Sequence, residues 1–157
     1  MAASATRPTA LPLAVLFACG LNSIRSPMAA ALFAQIFGRG IYVASAGVRK
    51  GDLDPFAVAV MAEIGLDISR HKPVTFEEID EWEGLNFDLI ITLAPEAHHR
   101  ALELTRTSGV DVEYWPMVDP SDVEGSREQR LDAYREVRDQ LLARIRRRFS
   151  RPTPGNE

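Results

Sequence analysis

Residues 13–18, LAVLFA, form an apolar run with no polar interruption, and the chain repeats the device with IYVAS at 41–45, FDLIITL at 87–93 and VEYW at 112–115. Short continuous runs of this kind read as strands covered on both faces, as in a parallel sheet. Helical patterns with their own start signals stand between them. Ser26-Pro27 opens the first, which carries Met28, Leu32, Phe33, Ile36 and Phe37 on one face and stops near Gly38 and Gly40. Asp54-Pro55 opens the second as N-cap and first residue, running to Gly65. Thr75 and Glu78 make a capping box for a short third, and Pro95 starts the fourth. Ser126 and Gln129 cap the last, which aligns Leu131, Tyr134, Val137, Leu141, Ile145 and Phe149. Strands alternating with helices specify an α/β fold, an open and mostly parallel sheet with helices on both faces.

A chain of 157 residues supports one such core and is too short for two ordinary domains. The expected domain is 11–149, with residues 1–10 and 150–157 as flexible ends. The formal net charge of −4 speaks against a nucleic-acid partner. The arginine cluster at 144–148 is expected to complement a helix dipole and stay in water. The segment ALPLAVLFACG falls short of the roughly 20 apolar residues of a membrane span, so no membrane partner is expected. One cysteine excludes an internal disulfide and a cysteine-based zinc site, and suits a reducing, cytoplasmic compartment. His98 and His99 are adjacent on a helix and diverge instead of converging on a metal, and Trp82 and Trp115 are expected to pack. No cofactor is implied.

The single cysteine stands in FACGLNSIRSP, at the end of the first strand and before a helix, which is where open α/β sheets place their sites. Backbone N–H groups of Gly20, Leu21, Asn22, Ser23 and Ile24 can curl around an anion, helped by the helix dipole. Gly20 and Asn22 are types that tolerate the positive φ of a tight cradle. Arg25 can hold two oxygens of a tetrahedral oxyanion bidentately. The same field favours thiolate at Cys19, and Ser26 can donate to that sulfur. A phosphoryl group held this way is displaced onto sulfur without a metal, as a phosphocysteine. The leaving oxygen then needs a proton, and Asp119, in WPMVDPS after the fourth strand, is placed to give it. A lone cysteine after a strand is often only a small buried hydrophobe, and Asp-Pro is also ordinary turn chemistry. The strand–loop–helix context with an arginine six residues on favours the nucleophile.

These residues resemble the low-molecular-weight protein tyrosine phosphatase family over nearly the whole chain. The family's Cys-x5-Arg-Ser-Pro-Met-Ala stands here at 19–29, SAG at 45–47, LDISRHKP at 66–73 and DP at 119–120. The resemblance implies a four-stranded parallel sheet of order 2-1-3-4, Cys19 as nucleophile, Arg25 as clamp and Asp119 as general acid. It implies also that Asn22 and Ser45 fix the cradle from behind. The loops VRKGDLD and SDVEG lack the aromatic walls of the eukaryotic-type members, so stacking on a tyrosine ring is not expected. Arg49 and Lys50 can favour an acidic substrate, with a solvated loop as the default reading.

The carboxyl-terminal part is similar to the thioredoxin-coupled arsenate reductases. Those enzymes pass the oxidation through two further cysteines, where this chain has Ala94 and Ala101. Hydrolysis of a phosphomonoester or phosphoprotein is the leading expectation. Reduction of arsenate, another tetrahedral oxyanion, with an external thiol or glutaredoxin-type partner is the second, and a non-catalytic oxyanion-binding domain the third. The oligomeric state is not legible.

Overall fold

The computed structural model describes residues 11–150. The expectations for residues 1–10 and for the tail from 151 lie outside the described residues. Strand β1 (Ala14–Cys19) is flanked by β2 (Tyr42–Gly47) and β3 (Leu89–Thr92), with β4 (Asp111–Tyr114) outside β3. All three pairings are parallel, giving the order 2-1-3-4. Cys19 stands opposite Gly47, and Ala18 opposite Thr92, so three strand ends open at one level.

Side chains alternate across a strand, which splits the core in two. Val15, Phe17, Leu89 and Ile91 face α1 (Arg25–Phe37), α2 (Pro55–Ala62) and α5 (Arg127–Arg148). Leu16, Ala18 and Ile90 face α3 (Phe76–Trp82) and α4 (Pro95–Leu104). The expected stripe of α5, from Leu131 to Phe149, is wholly buried. Asp54, Thr75 and Ser126 cap α2, α3 and α5 as expected, the last two with complete capping boxes. Helix α1 begins at Arg25, earlier than the Ser26-Pro27 signal implied. Proline is tolerated in the third position because its missing N–H is among the four that lack a helical partner anyway. Helix α2 ends at Ala62, and the chain turns through Gly65 at φ +82°.

Trp115 packs as expected, but Trp82 is 65% exposed. It closes α3 at the lip of a groove beside Tyr42 and Glu83, where no second layer covers it. The terminal arginines are also less free than expected. Arg144 lies over the Trp115 ring at 4.9 Å, and Arg148 pairs with Glu113 at 2.6 Å. Among the described residues no helix is long and apolar enough to cross a membrane.

Candidate active site

Residues 19–25 leave the central strand, turn and enter α1, and their outward carbonyls are tied down by the loop after β2. Val48, Arg49, Gly51 and Asp54 donate backbone N–H groups to the carbonyls of Cys19, Gly20, Leu21 and Ser23. Among the described residues the N–H groups of 21–25 have no hydrogen-bond acceptor, which leaves them available to an anion. Such a row of amides at a helix N-terminus is an anion cradle. Gly47 of the SAG motif makes the close approach possible. A Cβ there would stand 2.4 Å from the Arg49 carbonyl and 2.8 Å from the Asn22 nitrogen.

Asn22 is the hub of the turn. It is fully buried, and it is the only non-glycine residue at positive φ (57°) among the described residues. Gly20, which also tolerates that conformation, does not adopt it. The Asn22 Nδ2 donates to Ser26 Oγ at 2.8 Å and Ser45 Oγ at 3.0 Å, while its Oδ1 accepts from the Val74 N–H at 2.9 Å. His71 Nε2 lies 3.0 Å from the Asn22 carbonyl and 3.1 Å from its Oδ1. Both are acceptors, so Nε2 carries the proton. Burial holds the His71 imidazole below its ordinary pKa, partly offset by the hydrogen bond to Asn22, and the ring is neutral at pH 7. Ser26 Oγ, fixed by Asn22, stands 2.9 Å from Cys19 Sγ and can donate to a thiolate there. Asn22→Ala is expected to cost about 3 kcal/mol, from the strained φ and the orphaned buried partners. Urea unfolding reads the loss, and Asn22→Gly, which relieves only the φ strain, should recover about 1 kcal/mol of it.

Arg25 is the first residue of α1, and its guanidinium is aimed by the loop after β4. Nη1 donates to the Met117 carbonyl at 2.9 Å, and Nη2 lies 3.8 Å from Asp119 Oδ2. Asp119 caps the 3-10 turn Pro120–Asp122, so its Oδ1 accepts from the Ser121 N–H and hydroxyl at 2.9 and 2.6 Å. Its other oxygen is left toward Arg25 and the cleft.

Cys19, Leu21, Ser23, Ile24, Arg25 and Asp119 line one cleft of about 210 Å³. Asn22, Ser26 and Ser45 stand behind it as buried supports, and Gly20 is not part of its wall. Cys19 itself is only 2% exposed. Two further carboxylates, Asp52 and Asp54, also line the cleft. The sequence held the signal for Asp54, an N-cap directly after the loop that braces the cradle. Reading it as a cap alone missed its second side. Its Oδ1 accepts from the Phe56 N–H, and its Oδ2 accepts from the Tyr134 hydroxyl at 2.7 Å. Burial and that carboxylate together push the Tyr134 phenol well above its usual range. Lys50, read by default as part of a solvated loop, is paired with Glu78 at 2.6 Å. Among the described residues no group of three or more His, Cys, Asp or Glu is placed to hold a metal ion. The His98 ring is committed elsewhere, to Thr92 Oγ1 at 2.9 Å and in a stack on Tyr114.

A family model described as low molecular weight phosphotyrosine protein phosphatase matches residues 14–151. An arsenate reductase of Bacillus licheniformis is 36% identical over 133 residues, spanning 85% of this chain and 92% of the relative. Among solved structures, an arsenate reductase in the phosphate binding state has a TM-score of 0.65 at 29% identity, covering 85% of this chain and 93% of that one. The Erwinia amylovora tyrosine phosphatase amsI has a TM-score of 0.71 over 90% of this chain and 96% of its own, a likeness of fold at 19% identity. A family model spanning 14–151 and a relative 36% identical over most of both chains show that the chain belongs to the low-molecular-weight phosphotyrosine protein phosphatase family.

Proposed function

We propose that the chain hydrolyses phosphomonoesters through a phosphocysteine at Cys19. One observation carries this: Cys19, Arg25 and Asp119 line a single cleft, so nucleophile, cation and acid face one bound group. The phosphoryl oxygens lie against the cradle amides and the Arg25 guanidinium. The Cys19 thiolate attacks phosphorus in line, forming the S–P bond as the P–O bond to the leaving group breaks. Asp119 Oδ2 gives its proton to the leaving oxygen, and as carboxylate it then takes a proton from water. The resulting hydroxide forms the new P–O bond, the S–P bond breaks, and the Ser26 hydroxyl donates to the departing thiolate.

Asp119→Asn is expected to lower kcat/KM, which reads the step that breaks the ester bond, by about 10²–10³ on phenyl phosphate. The loss should be much smaller on p-nitrophenyl phosphate, whose leaving group departs with little protonation. Equal loss on both esters, or none on phenyl phosphate, removes Asp119 from the acid role.

The named relatives favour a second reading, arsenate reduction, and by identity they weigh more on that side than on hydrolysis. Against it stands this chain's single cysteine, with buried Ala94 and Ala101 at the positions that the resemblance assigns to the relay thiols. Reduction here therefore runs through external thiols. The Cys19 sulfur bonds to arsenic as water leaves, and a first thiol attacks that sulfur to give a mixed disulfide. The S–As pair stays on arsenic as arsenite, and a second thiol frees Cys19 as a disulfide departs. Arsenite formation with glutathione and glutaredoxin, set beside turnover of p-nitrophenyl phosphate by the same protein, separates the two. Arsenite without ester hydrolysis overturns the first reading.

A further inference from the structure

Asp54 stands between the cradle and the carboxyl-terminal helix. Its backbone N–H donates to the Ser23 carbonyl at 3.2 Å, and the residue lines the same cleft as Cys19 and Arg25. A carboxylate in that wall is a rival for the site. The amides of 21–25 and the Arg25 guanidinium, which suit a phosphoryl group, suit a side-chain carboxylate as well. Yet among the described residues Arg25 forms no ion pair with Asp54, and its carboxylate partner is Asp119. Both Asp54 oxygens are held elsewhere. Oδ1 accepts from the Phe56 N–H at 2.8 Å as the cap of α2. The partner of Oδ2 is the Tyr134 hydroxyl on α5, at 2.7 Å. Tyr134 is buried and its ring meets Phe56 edge to face at 5.3 Å, so packing fixes where the hydroxyl points. The cap needs one carboxylate oxygen, and the phenol restrains the other.

We propose that Tyr134 is a positioning residue for oxyanion binding: by holding Asp54 Oδ2 on α5, its hydroxyl keeps that carboxylate from occupying the cradle. The proposal rests on the reading of residues 19–25 as a phosphoryl cradle. Without the hydroxyl, Oδ2 loses this partner, and an anion tethered to the wall of the cleft competes with the phosphoryl group for the same donors. Substrate then meets an open cradle only part of the time, so KM rises by the inverse of that fraction while kcat holds.

Tyr134→Phe is expected to raise the Kd for inorganic phosphate, read by calorimetry on the full chain, about tenfold. KM should rise by the same factor on phenyl and p-nitrophenyl phosphate alike, with kcat within about twofold of wild type. Asp54→Asn removes the competitor and keeps the cap, so adding Tyr134→Phe to it should change the phosphate Kd by less than about twofold. Where Tyr134→Phe melts too low to assay, Asp54→Glu carries the test. Its longer side chain cannot hold a carboxylate at both the Phe56 N–H and the phenol, and the phosphate Kd should rise severalfold. A phosphate Kd within about twofold of wild type in Tyr134→Phe, or in Asp54→Glu where it stands in, overturns the proposal. So does a loss carried by kcat with KM unchanged, or an equal loss from Tyr134→Phe with and without Asp54→Asn. A wild-type protein that binds phosphate but hydrolyses neither ester overturns hydrolysis, and the phosphate Kd still decides the role of Tyr134. A wild-type protein that does not bind phosphate overturns the cradle, and the proposal with it.

Discussion

Cys19→Ser is expected to lower turnover by roughly four orders of magnitude or more while leaving the fold intact. The substitution exchanges one atom at a site that is 2% exposed, and serine is close to cysteine in volume. Chemistry is what it removes. A hydroxyl needs a base to become a nucleophile, and the side chain beside Sγ is the Ser26 hydroxyl, which is no base at neutral pH. Thiolate is accessible without one. The measurement is kcat on p-nitrophenyl phosphate, with a thermal melt of the same preparation and titration with inorganic phosphate. An unchanged melt, retained phosphate binding and lost turnover assign the chemistry to sulfur. Turnover within tenfold of wild type would show that sulfur is not the attacking atom, and would remove the shared step of hydrolysis and arsenate reduction together. Phosphate binding with no turnover in the wild-type protein either would leave thiol-coupled arsenate reduction or an oxyanion-binding domain.

The sheet and the cradle were legible because both are local. An uninterrupted apolar run predicts a doubly covered strand, and LAVLFA became the central one. Start signals fixed three of the five helices by their own chemistry, Asp54-Pro55, Thr75 with Glu78, and Ser126 with Gln129. Asn22 was legible as a residue able to take positive φ. Gly20 tolerates the same conformation but does not adopt it, because a glycine permits positive φ without requiring it. What the sequence hid depends on distant segments meeting. Tyr134 reaches the Asp54 carboxylate across 80 positions. Each side chain also has an ordinary local reading, so nothing in a window around it marks the contact. Lys50 is the converse: a loop lysine that reads by default as solvated is paired with Glu78, on a helix 28 positions away.

Arg25→Lys is expected to reduce kcat/KM by about 10²–10³, and Arg25→Ala by about ten times more. Lysine keeps the charge but offers one ammonium where the guanidinium presents a planar fork to two oxygens at once. It also cannot donate to the Met117 carbonyl and reach toward Asp119 from one rigid plane, so the phosphoryl group and the acid lose their common reference. Arg25→Ala loses the cation as well, leaving Asp52, Asp54 and Asp119 to face a dianion with only backbone amides against them. KM should therefore rise steeply in Arg25→Ala, and kcat should fall in both variants. The link between clamp and acid has its own readout. If Arg25 holds Asp119 in place, Asp119→Asn costs less in the Arg25→Ala background than in wild type, because the acid is already misplaced. Full additivity of the two losses would mean that the 3.8 Å approach of the side chains does not position the proton. Retention of kcat/KM within tenfold in Arg25→Lys would show that charge alone suffices and that the guanidinium fork is not what binds the oxyanion.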